Sequence, residues 1–237
     1  MFRYAIAVPG LAALLGSAAM PGQAATAIGQ GDAQARFSLV LAEGSTLTSS
    51  FTTETLESFE DQDGSGTATA SAETQVEDDL TLASTDEATA GPGIGSGLAL
   101  TSVLGTIDVS NPEGAEAGTF GFSLGWSLNA LAESDSPFAF ATGAAAITLL
   151  GPDGGTLFER SLAFGEGGDY GSDSLEDVFA LSIDDGFVLA GGETASFQIR
   201  TDASASASVI PVPAALPLLL TAFGGLVALR RFKRHDA

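Results

Sequence analysis

The stretch Phe120-Gly121-Phe122-Ser123-Leu124-Gly125-Trp126-Ser127-Leu128 places a large apolar side chain at every second position and a glycine or serine between. A period of two sends alternate side chains to opposite faces, so the segment reads as a β-strand with one face in a core and the other toward water. Trp126 shares the apolar face with Phe122 and Leu124 and is expected in the core. Working outward, shorter runs of the same kind occur at residues 35–41, 46–53, 98–109, 138–150, 157–164, 178–183 and 195–201. Clusters of Gly, Asp, Pro and Ser separate them. Pro152-Asp153-Gly154-Gly155 and Asp184-Asp185-Gly186 read as turns, because proline presets φ and glycine accepts positive φ. Many short strands with turn signals between them predict an all-β domain, an antiparallel β-sandwich.

That domain is expected over residues 25–202. Residues 60–97 are rich in Thr, Ser, Ala and acidic residues, with few large apolar ones, and are expected to form an edge hairpin or a mobile loop. Residues 203–209, where Ala alternates with Ser, read as a flexible tether. Tyr170, in a Gly-rich stretch, is expected to be exposed.

Two apolar segments flank the domain. Residues 1–24 carry Arg3, an apolar core over 5–15, and small residues Gly22 and Ala24 at the spacing of a signal-peptide cut. Ala25 and Ala27 offer a second cut of the same kind. The expectation is a signal helix handled by the Sec export machinery. At the other end, residues 212–229 form an apolar run of 18 residues; as a helix rising about 1.5 Å per residue it spans roughly 27 Å, near the thickness of a hydrocarbon core. Arg230, Arg231, Lys233 and Arg234 follow at once, four of the chain's eight basic residues. Positive-inside bias then holds residues 235–237 in the cytoplasm and puts the domain outside. The predicted fold is thus a β-sandwich ectodomain between an N-terminal signal helix and a C-terminal transmembrane helix.

Ahead of that helix stand Ile210, Pro211, Val212, Pro213 and Ala214. A proline disfavours the helical region for the residue before it, so Ile210 and Val212 are held extended. Extended peptide exposes the carbonyls and N–H groups that a helix would consume, which suits a protease site. The Pro motif, apolar span and basic cluster over residues 210–234 resemble the VPLPA variety of the PEP-CTERM sorting regions, with Ile210 for the first Val and Val212 for the Leu. The resemblance implies a Gram-negative source and an exosortase-like membrane enzyme that cleaves near the motif. It implies delivery through the inner membrane to the cell surface or beyond, and says nothing about what the domain does.

Composition narrows the chemistry. The chain has no cysteine, so no disulfide framework is available outside the cell. Over residues 25–209 the three arginines Arg36, Arg160 and Arg200 face 29 carboxylates, leaving a net charge of −26. Such a field repels phosphate backbones and excludes nucleic acid as a natural partner. The only histidine is His235 and the only lysine Lys233. The exported domain therefore has no Ser-His-Asp triad, Cys nucleophile, Ser-Lys pair or His metal ligand.

Carboxylates remain. Asp61, Asp63 and Ser65, followed by Gly66, resemble the first half of a calcium loop, although Ala72 stands where that loop needs a bidentate Glu. Asp169 and Asp173 are weaker candidates of the same kind. Glu176-Asp177 and Asp184-Asp185 are neighbours in sequence, and in a strand neighbours point to opposite faces. No catalytic residue is assigned. The expected function is a non-enzymatic cell-surface or matrix component, structural or adhesive, with calcium as the one candidate cofactor and exopolysaccharide or matrix as partner. Two alternatives stand beside it: a carbohydrate-binding or carboxylate-dependent glycosidase domain, and a permanently anchored single-pass surface protein.

Overall fold

The computed structural model describes residues 25–136, 138–165 and 169–210, with nothing to be said of the side chains of residues 92 and 93. Its strands are β1 (Ala27–Leu41), β2 (Thr48–Val76), β3 (Leu80–Ser110), β4 (Gly118–Ser134), β5 (Ala139–Leu150), β6 (Thr156–Phe164), β7 (Gly171–Leu181), β8 (Phe187–Leu189) and β9 (Thr194–Val209). All pairings are antiparallel, in the order β6-β5-β9-β3-β1-β4-β7, with β2 on β3 and β8 on β4. Among the described residues there is no helix long and apolar enough to cross a membrane. The all-β, antiparallel expectation holds. The signal segment with Gly22 and Ala24, the motif residues Pro211, Val212, Pro213 and Ala214, the apolar span, and Arg230, Arg231, Lys233 and Arg234 lie outside the described residues.

The long hairpin of β2 and β3 organises the molecule. One arm of β3, Leu80 to Ala90, pairs with β1, while the other arm, Gly95 to Ser110, pairs with β9. Between the arms the sheet turns a corner, and β2 follows it through a register shift between Gly64 and Gly66. Gly64 has φ of 60°, a conformation that L side chains rarely adopt. The corner also flips the buried parity. Even positions from Leu80 to Ala90 face inward, whereas odd positions do so from Gly95 to Val109. The continuous sheet thus curls until its β3-β1-β4 half faces its β3-β9-β5 half.

Side-chain size sets the spacing between those halves. At one end Phe37, Phe120, Phe122 and Phe197 are at most 1% exposed, with ring centroids 5.0 to 6.4 Å apart. At the other end the buried cluster is alanine, including Ala27, Ala88, Ala132, Ala141, Ala205 and Ala207, closed by Val209. There the strands approach so closely that a Cβ on Gly29 or Gly31 would overlap backbone carbonyls of β5 and β9. The core is a wedge, thick at the phenylalanine end and thin at the alanine end. Burying each phenylalanine contributes about 1.5 to 3 kcal/mol, so most apolar stabilisation resides at the thick end.

The tether expectation for residues 203–209 is corrected by this packing. They complete β9, an interior strand between β3 and β5, and Ala203, Ala205, Ala207 and Val209 are buried. Alternating Ala and Ser makes a half-buried strand wherever the facing sheet comes near enough for a methyl group to fill the gap. Residues 60–97 resolve in favour of the hairpin: both arms are strand, and β2 lies at the sheet's edge with most side chains exposed. The Pro152–Gly155 turn joins β5 to β6, with Gly154 at φ 77°.

Candidate functional site

The edge strands β6 and β7 come alongside each other without pairing, and there the wedge is open along one side. The opening is a cleft of about 510 Å³ with Trp126, Phe158 and Phe179 in its wall. Trp126 and Phe158 have ring centroids 5.5 Å apart, and Phe158 stacks on Phe179 at 5.3 Å. Trp126 is therefore only partly in the core. It packs against the buried cluster while one edge borders the cleft.

Period-two geometry decides which polar groups enter. Asp177 is the register partner of Trp126 and shares its inward face, while Glu176 pairs with Ser127 on the outer face. Arg160 pairs with Ile147, an inward position, and Glu159 pairs with outward Thr148. The Arg160 guanidinium carbon lies 5.2 Å from the Phe158 ring centroid. Arg36 is bound to Asp79 at 2.6 Å and Arg200 to Asp202 at 2.7 Å, whereas Arg160 has no ion-pair partner among the described residues. The cleft thus combines an aromatic wall, a cation on an aromatic face and three acidic residues in its lining, Glu159, Glu176 and Asp177, of which Asp177 shares the inward face. That set can hold an apolar ring face and an anionic or hydroxylated group. Paired-carboxylate hydrolysis needs two acids converging on one bond, and strand alternation separates Glu176 from Asp177.

The candidate calcium residues fall on the corner of the hairpin. Asp61 and Asp63 pair with Leu98 and Ser96 in regular strand, both exposed on the outer face. The Ser65 hydroxyl donates toward the carbonyls of Gly91 and Ile94, 3.3 and 3.4 Å away. Asp61 and Asp63 are thus held in the ladder up to the corner, while Ser65, past Gly64, is engaged with backbone carbonyls of β3. Asp173 lies on β7 opposite Ala130, and Asp169 stands before that strand. Tyr170 is 41% exposed, as expected. Ile210 is exposed, and its N–H donates to the Phe138 carbonyl at 2.9 Å.

A second polar group was not legible in the sequence. Asp86 faces inward, 0% exposed, and its carboxyl is pushed up to about 6, chiefly by burial; hydrogen bonds from Thr101 oppose the rise, and the charges of Asp32 and Glu60 add to it. Asp32, half-buried on the outer face, is also raised by desolvation. At the surface, the Arg36 guanidinium holds Asp79 below its ordinary value, and hydrogen bonds from Thr26 do the same for Asp135. Comparison with known protein families, curated proteins and solved structures finds no match to this chain.

Proposed function

We propose that this chain is an exported surface or matrix protein, delivered by its C-terminal sorting region, whose β-sandwich domain serves as a structural or adhesive component. The observation that carries the reading is the ordered set Ile210, Pro211, Val212, Pro213, Ala214, then the apolar span, then Arg230, Arg231, Lys233 and Arg234. The fold supplies support. Thr26 and Val209 both belong to the thin end, so the segments before and after the domain leave from one side. The turns at Gly44, Gly114, Gly154 and Gly192 gather at the opposite end with Glu43, Glu77, Asp78, Glu113, Asp153 and Glu193. A domain held at its thin end presents this acidic thick end outward, where it repels anionic surfaces and favours cations.

Intact-mass measurement of the surface and medium fractions, in a host with and without the sorting enzyme, tests the proposal. Loss of the tail only when the enzyme is present supports it. A full-length tail in both hosts refutes it and leaves the permanently anchored alternative. One observation favours a second reading, saccharide binding: the cleft of Trp126, Phe158 and Arg160. Trp126 is the chain's only tryptophan, so titration with exopolysaccharide should shift its fluorescence, and Arg160→Ala should weaken the response. An emission spectrum unchanged at saturation removes that reading.

A further inference from the structure

Neither the cleft nor the sorting region uses the buried carboxylate at the hairpin corner. The Thr101 hydroxyl donates to Asp86 Oδ1 at 2.5 Å. Asp86 Oδ2 is enclosed and has no hydrogen-bond partner among the described residues. A bare carboxylate oxygen in such a position is costly unless a compensating partner meets it.

A second carboxylate reaches the same place from β2. Glu60 is the register partner of inward-facing Ala99, and its Oε1 accepts the Ala70 N–H at 2.7 Å. Ala70 in turn is the register partner of Asp86. Glu60 therefore lies across the gap between the two arms of β2, against the backbone beside Asp86. The arm facing it presents Ala68, Ala70 and Ala72 inward, none with a side chain larger than a methyl group. Ser58, the partner of Thr101, adds a hydroxyl on the same face.

The charges around the gap are of one sign. Glu60 from β2 and Asp32 from β1 both act on Asp86. Arg36 and Arg200 are committed to Asp79 and Asp202, and Arg160 lies on Phe158 in the cleft. No described side chain brings positive charge to this place. Two carboxylates and hydroxyl oxygens, with no nitrogen or sulfur, are the donor class chosen by hard divalent cations.

We infer that Asp86 and Glu60, with the Thr101 hydroxyl, bind a divalent cation of the calcium class between the two arms of β2. The site is distinct from Asp61 and Asp63, which stand on the opposite face of the same strand. A bound ion neutralises the enclosed carboxylate and pins the edge hairpin to the core.

Calcium is the probe, added to the full-length chain in detergent micelles at pH 7.5 and constant ionic strength, with melting and calorimetric titration as readouts. The expected result is one saturable ion per chain and a rise in melting temperature of several degrees, because a ligand that binds only the folded state stabilises it. Asp86→Asn should abolish the saturable step, Glu60→Gln should weaken it about tenfold or more, and the pair Asp61→Asn with Asp63→Asn should leave it in place. At pH 5 the step should shrink as protons compete for the same oxygens. Glu60 is exposed, so its variant carries the test if the Asp86 variant misfolds. Absence of a saturable step, an undiminished affinity in Glu60→Gln, or a dependence on Asp61 and Asp63 would overturn the inference.

Discussion

Substitution of Gly31 by alanine tests the wedge directly. Gly31 lies in the first third of β1, and a Cβ built there would overlap the Ala144 carbonyl and come within 2.8 Å of the Ser204 carbonyl oxygen. Both carbonyls belong to strands paired on each side, β5 between β6 and β9 and β9 between β3 and β5. Neither can retreat alone, so the two halves of the sheet must separate along the thin end. Overpacking a well-filled core costs about 1 to 3 kcal/mol, and two fixed backbone obstacles place this case near the upper value. For a domain of this size about 3 kcal/mol lowers the melting temperature by roughly 6 to 12 °C. Gly125 provides the control. It lies on the outer face of β4, and the nearest atom to its Cβ is the Arg36 carbonyl oxygen at 4.0 Å. Gly125→Ala should change stability by less than about 1 kcal/mol, either unchanged or slightly higher, since removing a glycine reduces the entropy of the unfolded chain. Calorimetry of both variants decides the matter. If Gly31→Ala melts within about 2 °C of the parent, or no lower than Gly125→Ala, the halves are not in backbone contact and the wedge is wrong.

Four further outcomes follow from the same packing. Phe197, fully buried and 4.9 to 6.4 Å from the rings of Phe37, Phe120, Phe122 and Phe187, should cost about 3 to 5 kcal/mol as alanine, read by urea unfolding. Asp86 binds a proton more tightly folded, at about 6 against an ordinary 3.8, so metal-free stability should fall as pH rises through that window. The loss reaches about 2 to 3 kcal/mol above it, and Asp86→Asn should flatten that part of the pH profile and melt higher at pH 7.5 in chelator. Truncation after Asp202 removes the buried Ala203, Ala205, Ala207 and Val209 and should prevent cooperative unfolding by calorimetry, where a dispensable tether would leave the transition intact. If the tail is processed as proposed, replacing Pro211 and Pro213 together with alanine should abolish that cleavage, read by intact mass, because helix can then extend through the motif.

The fold was legible wherever large apolar residues alternated. The reading of Phe120 to Leu128 identified β4, and the runs at 98–109 and 138–150 mark most of the second arm of β3 and all of β5. Legibility failed in the first half of β1 and the second half of β9, where the inward residues were Ala or Gly and, unlike in the 138–150 run with its Phe138, Phe140 and Ile147, few large apolar neighbours marked the strand. Gly29, Gly31 and Ala33 in β1, and Ala203, Ala205 and Ala207 in β9, face inward as regularly as any phenylalanine. Nothing local distinguishes them from linker, because what makes an alanine a core residue is how near the opposite sheet lies. Asp86 was hidden for a related reason. It stands in an acidic, Thr-rich run that resembles solvated surface, and its burial follows from the corner that places Thr101 across from it. The aromatic cleft was half legible: Trp126 was visible, but its neighbours Phe158 and Phe179 come from two edge strands whose meeting is a tertiary fact.

The wedge and the exit of the chain are linked. Ile210 keeps one backbone hydrogen bond, its N–H to the Phe138 carbonyl at 2.9 Å, and Pro211, lacking an N–H, has none to donate. The first residue of the proposed processing motif is thus the last that donates to the ladder, and the second, a proline, has no N–H to offer. Because β9 is an interior strand paired along its length with β3 and β5, the thin end cannot close until residue 209 has emerged beside them. In an export pathway that presents the chain from its N-terminus, the domain would complete its core only when the motif itself is reaching the outer leaflet. Folding and presentation of the motif would then be nearly simultaneous. A flexible linker would uncouple the two events, and the alternating Ala and Ser residues, buried in the sheet, leave no room for one among the described residues.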